Sequence, residues 1–291
     1  MKVLISTDSS CLINSDILTK NGIRCYPLNV IIDGKEYIDT VTIDQATLMK
    51  EMRANKVVKT STPPMGEVIK YFEDLFKEGY DEIIHFTISS KLSSMFNLFK
   101  TVSESYFDSK IKVIDSYSVS SLMLSHVLFA ADELKKGTSV LDICKLVEER
   151  KNKDNFVIFV PENLKALKNG GRISPAIAAI GNTLGLKPLI ALTDGALVKD
   201  VMTRNTKKAI MERVNEIHPN FPESDYDYTL ISFDAKENML NVVMNYLNEL
   251  LPNYKVIEGI IPINVCAHCG PGTVGVLVSP NINGKSINDF T

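Results

Sequence analysis

The side chains of this 291-residue chain best suited to chemistry are an arginine, a histidine and two runs of hydroxyls. In Leu164-Lys165-Ala166-Leu167-Lys168-Asn169-Gly170-Gly171-Arg172-Ile173-Ser174-Pro175, a short amphipathic turn ends at paired glycines, which adopt backbone angles that a side chain forbids. Ser174 then Pro175 reads as an N-cap with proline at the first helical position. Arg172 is thereby held beside a helix N-terminus, where a fixed guanidinium suits a carboxylate or a phosphate. The same letters fit a helix-helix corner carrying a surface arginine. Thr60-Ser61-Thr62 before Pro63-Pro64, and the serines from Ser89 to Ser94, each crowd the expected start of a helix. Such hydroxyls can cradle an anion. Read alone, Thr60 to Thr62 fit an ordinary cap, with Thr62 capping and Pro63 first in the helix. Two such junctions in one sheet would converge on one ligand.

The stretch Cys266-Ala267-His268-Cys269-Gly270-Pro271-Gly272-Thr273 reads as a loop, its glycines placing the His268 imidazole to donate to an anion. A structural zinc site takes four ligands, usually from two clusters, and Cys11, Cys25 and Cys144 lie in separate elements. The glycines lack the Gly-Lys-Ser/Thr ending of a nucleotide phosphate loop. No nucleophile elbow or metalloprotease pattern occurs. His85 lies within an apolar strand and is expected as a satisfied, partly buried residue; Asp8 is expected in an Asx turn.

These residues need a scaffold. Apolar runs at 2–6, 83–86, 111–114 and 155–160 read as strands, and helices from 42, 62, 92, 118 and 140 separate them. That alternation argues a doubly wound, mainly parallel sheet. Asp33-Gly34 between Val30-Ile31-Ile32 and Tyr37-Ile38 reads as a hairpin turn, as does Asp194-Gly195 further on. After residue 160 hairpins mix with helices, predicting a two-layer α+β domain. The expected division is 1–160 and 161–291. Hydrophobic content of 45% and charged content of 23% are ordinary for a globular protein. A net charge of −3 gives no footing for bulk nucleic-acid binding. The opening Met1 to Ile5 is too short for a secretory leader, and five scattered cysteines suit a reducing cytoplasm.

The chain resembles the DegV family, the bacterial fatty acid-binding subunits of fatty acid kinase. The resemblance runs through Thr7-Asp8-Ser9-Ser10, Thr60-Ser61-Thr62-Pro63, Ser89-Ser90-Lys91-Leu92-Ser93 and Asp115-Ser116. It continues through Leu167 to Ile173, Lys187-Pro188, Arg204 with Lys207-Lys208-Ala209, and His268 with Gly270-Pro271-Gly272. The motifs keep the family's order over nearly the whole length. Two departures stand out. The chain has Leu92-Ser93-Ser94-Met95 where the family usually reads Leu-Ser-Gly-Thr, and Thr62 where it usually has glutamine.

The resemblance implies two α/β domains with one long-chain fatty acid in a tunnel between them and no other cofactor. It implies a carboxylate site from Thr60, Ser61, Thr62, Ser93, Ser94 and His268, with Arg172, Gly170 and Gly171 beside it. Arg204, Lys207 and Lys208 match the face that docks a separate ATP-dependent kinase, which makes the acyl phosphate. The implied location is the cytoplasm, with transient contact at a membrane surface. Hydroxyls and a histidine hold a carboxylate without a tight bidentate ion pair, leaving its oxygen free to attack ATP. A stand-alone hydrolase using His268 with Ser93 or Cys269, or a small-molecule sensor, would use the same cleft.

Overall fold

The computed structural model describes residues 2–11, 15–151, 156–174, 177 and 185–291. Among these, the first sheet has the order β2-β1-β6-β7, all parallel. Its strands are β1 (Val3–Asp8), β2 (Arg24–Tyr26), β6 (Glu82–Thr87) and β7 (Ile111–Asp115). The two central strands, β1 and β6, are short and buried almost throughout, as strands covered on both faces must be. The chain leaves β1 towards β2 on one side and returns through β6 on the other. Ligands of open α/β sheets gather at the carboxyl ends of such a switch point.

A small antiparallel sheet stands beside it, ordered β4-β3-β5. It comprises β3 (Asn29–Ile32), β4 (Lys35–Ile38) and β5 (Val58–Ser61). Asp33 and Gly34 turn the hairpin at φ 48° and 85°, the paired positive values of a type I′ turn. Here the capping expectation fails. Thr60 and Ser61 belong to strand β5, paired with Val30 and Asn29, and Thr62 does not cap. Helix α3 (Met65–Lys77) starts only after Pro64, which has no side-chain donor or acceptor to cap with. Pro64 also holds Pro63 out of the helical region.

The second sheet has six strands in the order β10-β9-β8-β13-β11-β12, mostly antiparallel. They are β8 (Phe156–Val160), β9 (Lys187–Thr193), β10 (Ala196–Thr203), β11 (Tyr226–Phe233), β12 (Ile257–Ile260) and β13 (Thr273–Pro280). Sequence places 156–160 last in the first sheet. Instead β8 pairs antiparallel with β13 and β9. A run of five apolar residues declares a buried strand but not its partner. The Asp194-Gly195 hairpin forms as expected.

The period of two divides this sheet's side chains between two cores. Phe156, Ile158, Leu230, Val276 and Val278 face α8 (Thr206–Ile217) and α9 (Glu237–Leu250). Val157, Phe159, Leu192, Ile231 and Leu277 face the other way and join the core of the first sheet. Between the sheets lies α5 (Ser120–Lys135), buried on every side from Ser120 to Asp132. A helix buried on every side is central. The α6 helix (Val140–Lys151) follows it; of the two caps the sequence offers, Thr138 and Ser139, it is Ser139 that accepts the Asp142 N–H, at 3.2 Å.

Candidate functional site

Between the second sheet's inner face and the carboxyl ends of the first lies a cavity of about 1050 Å³, mouth included. Leu28, Ile88, Met95, Phe159, Leu192 and Ile231 represent its apolar wall. Thr60, Ser61, Thr62, Ser93, Arg172 and His268 reach the same wall from four separate parts of the chain. A large apolar pocket with a few convergent polar groups is the usual form of a small-molecule site.

His268 lies in the last turn of α10 (Ile263–Cys269) rather than in a loop. This short helix is hidden in the sequence by its cysteines and β-branched residues. The bracket of Pro262 as N-cap and Gly270 just past the end was the available sign. His268 Nε2 and Thr60 Oγ1 share a hydrogen bond of 2.8 Å. Burial, with a further push from the Arg172 cation, lowers the imidazole pKa to about 4, so the ring is neutral at pH 7. His268 therefore offers a hydrogen bond and not a charge.

The paired glycines follow α7 (Lys165–Gly170) and have different reasons. A Cβ on Gly170 would sit 2.2 Å from His268 Nδ1, so glycine lets the backbone touch the ring. Gly171 has open space but φ 69°, the left-handed C-cap of α7. Neither glycine lines the cavity. Arg172 is half-buried, with Nε donating to Leu92 O at 3.1 Å and Nη1 donating to Gly170 O. Desolvation lowers its pKa. The guanidinium thus ties the glycine corner to the loop carrying Ser93. Ser174 accepts the Ile177 N–H at 3.3 Å, while Pro175 and the helix expected from it lie outside the described residues.

Ser93 precedes α4 (Met95–Tyr106) and its Oγ accepts the Met95 N–H at 3.4 Å. Ser94 does not line the cavity. Its Oγ bonds Thr62 Oγ1 at 2.7 Å, so two of the three positions that depart from the family pattern, Thr62 and Ser94, meet each other. Arg204 is exposed and does not line the cavity; it stands before Asn205, which caps α8 by accepting the Lys208 N–H. Lys207 and Lys208 border a separate shallow depression with Glu212 and Tyr246, and Lys208 pairs with Glu212 at 3.5 Å.

The pattern reading missed Asn264, one turn before His268 on α10. It is buried and wholly engaged: Nδ2 donates to Asp39 Oδ2 at 2.6 Å and to Ser9 Oγ at 3.1 Å, and Oδ1 accepts from Ser10 Oγ. This network pins α10 to the end of β1 and to the hairpin. Asp8 makes the expected Asx turn, accepting the Ser10 N–H at 2.9 Å, and also accepts the Ile88 N–H at 2.8 Å. Burial pushes its pKa up to about 6. His85 is fully buried, bonded to Ser6 and stacked on Phe99 at 4.3 Å, a core residue. No group of three or more His, Cys, Asp or Glu among the described residues could hold a metal, and no described helix is long and apolar enough to cross a membrane.

Fold and site together define an α/β protein with a largely apolar cavity and a polar cluster on its wall. Residues 2–281 match the family model described as "Uncharacterised protein, DegV family", and the chain belongs to that family. A "Fatty acid-binding protein" of Thermotoga maritima is 31% identical over 94% of this chain and 96% of its own. The structure of "DegV, a fatty acid binding protein from Bacillus subtilis" superposes with a TM-score of 0.83 at 26% identity, covering 97% of this chain and all of that one. A Streptococcus pneumoniae structure, "Fatty Acid Kinase (Fak) B3 protein loaded with linoleic acid", superposes at 0.79 over 96% and 99%. At 19% identity it shares the fold.

Proposed function

We propose that this protein binds one long-chain fatty acid and presents it to a separate ATP-dependent kinase, which converts it to an acyl phosphate. The carboxylate lies among Thr60, Ser61, Thr62, Ser93 and His268, with Arg172 behind them, and the acyl chain fills the apolar cavity. The observation that carries this reading is the meeting of Thr60, His268, Arg172 and the Ser93 loop, joined by short contacts, on the wall of an otherwise apolar space. Related proteins named for fatty acid binding support it.

Kinase partnership rests on the basic, exposed start of α8 and on the likeness of Arg204, Lys207 and Lys208 to the family's docking face. In that step a carboxylate oxygen attacks the γ-phosphorus of ATP, and ADP leaves. In this reading the nucleophile is the ligand's own carboxylate, and the chain holds it. The side-chain hydrogen bond of His268 is to Thr60, whereas Ser93 receives the Met95 N–H and Cys269 points to Cys266 O. That disposition disfavours a hydrolase. The division of the chain, expected between 160 and 161, belongs to the same proposal, with the boundary moved ahead of β8 because that strand pairs within the second sheet.

Native mass spectrometry of protein purified from cells, followed by lipid extraction, tests the binding reading. One co-purifying fatty acid is expected, and delipidated protein should regain thermal stability on adding it. At a hundredfold excess over Kd the gain is about 2.7 kcal/mol. No extracted fatty acid and an unmoved melting temperature would refute it.

A further inference from the structure

Buried polar atoms in folded proteins almost always find a partner, so an orphan on a ligand wall calls for a reason. Two residues of the cavity wall carry one: His268, at Nδ1, and Ser120, at Oγ. The orphaned Nδ1 of His268 is accounted for by its packing against Gly170. Ser120 has no such explanation. It is 2% exposed, its hydroxyl has no partner among the described residues, and it comes from α5, an element that contributes nothing to the Thr60–His268 cluster.

A second observation concerns the same place. Ser120 is the first residue of the 16-residue helix α5, and its N-cap, Val119, gives no side-chain hydrogen bond. The first amides of a helix have no intrahelical acceptor, and the helix dipole favours an oxygen there. Val119 itself lines the cavity. An apolar wall is thus interrupted, on an element that takes no part in the carboxylate cluster, by a free hydroxyl at an uncapped helix start.

We propose that Ser120 forms a second polar subsite that recognises an oxygen carried on the acyl chain, so that the cavity accepts hydroxylated long-chain fatty acids as well as plain ones. This rests on the fatty acid reading above. The chain hydroxyl exchanges hydrogen bonds with Ser120 Oγ, which turns about a single torsion to meet it, and no covalent step is involved. A plain acyl chain leaves Ser120 unpaired and forgoes that gain.

The test uses the full-length delipidated protein, octadecanoic acid, and a series of hydroxyoctadecanoic acids with the hydroxyl moved along the chain. Affinities are measured by calorimetry for the wild type and Ser120→Ala. At least one hydroxy acid should lose roughly three- to tenfold in affinity for the alanine variant, while octadecanoic acid binds both alike. Ser120→Gly relieves the positive φ of 58° at this position and serves as the second variant if alanine fails to fold. Equal loss for plain and hydroxylated acids, or no loss for any member, overturns the subsite and leaves fatty acid binding standing. Failure of the wild type to bind octadecanoic acid or any other member overturns both readings.

Discussion

Thr60 Oγ1 and His268 Nε2 stand 2.8 Å apart although 208 residues separate them. One lies on the third strand of the small antiparallel sheet and the other in the last turn of a short helix. The bond fixes a neutral imidazole on the cavity wall, and the glycine corner closes against its other side.

The two adjacent glycines should respond differently to alanine. Gly171→Ala meets open space and pays only for its left-handed backbone, about 1–2 kcal/mol of stability, with ligand affinity kept. Gly170→Ala drives a methyl into His268 and should displace the ring from Thr60. Losing such a contact to a buried carboxylate is worth about 1.5–3 kcal/mol, so affinity should fall at least roughly tenfold. Denaturant unfolding and calorimetry on both variants check this; equal affinities would separate His268 from the site.

Adjacent serines offer a second contrast. Ser93 lines the cavity and Ser94 turns away to Thr62. Ser93→Ala should weaken fatty acid binding by about 1.5–3 kcal/mol. Ser94→Ala should leave affinity nearly unchanged. The reverse order in a titration would move the carboxylate out of the site.

His268 also predicts a pH dependence. Its pKa falls from 6.5 to about 4 on folding, so below pH 6.5 the unfolded chain takes up a proton that the folded protein refuses. Stability of the delipidated protein therefore falls as pH drops from 6.5 towards 4. Replacing the ring by glutamine removes that contribution. The stability difference between wild type and His268→Gln should change across this window and be flat above it, as read from unfolding curves at stepped pH. A difference independent of pH would mean that His268 titrates normally.

Arg204→Glu should part docking from binding. Arg204 is exposed and does not line the cavity, so fatty acid affinity should hold. Charge reversal at a contact with an acidic partner surface costs several kcal/mol, so phosphotransfer with the cognate kinase should collapse. Raised salt should weaken the wild-type pair. Lost lipid binding would place Arg204 in the pocket, and full phosphotransfer would remove it from the docking face.

Local chemistry was legible in the letters. Asp33-Gly34 and Asp194-Gly195 announced their hairpins because paired positive φ angles admit few residues. The clusters Leu122-Met123-Leu124 and Val127 to Ala131 announced a helix with a broad apolar face, and Gly170-Gly171 marked a corner. What lay beyond the sequence was partnership. Val58 to Ser61 is too short and too polar to declare itself a strand without the hairpin it pairs with. Phe156 to Val160 could have closed either sheet, and only the cover available to its two apolar faces put it between β9 and β13. Asn264 gained meaning only when α10 brought it against Ser9 and Asp39. Turn and period preferences act over a few residues, whereas strand order and the meeting of Thr60 with His268 depend on which buried surfaces find each other, a choice made by the whole chain at once.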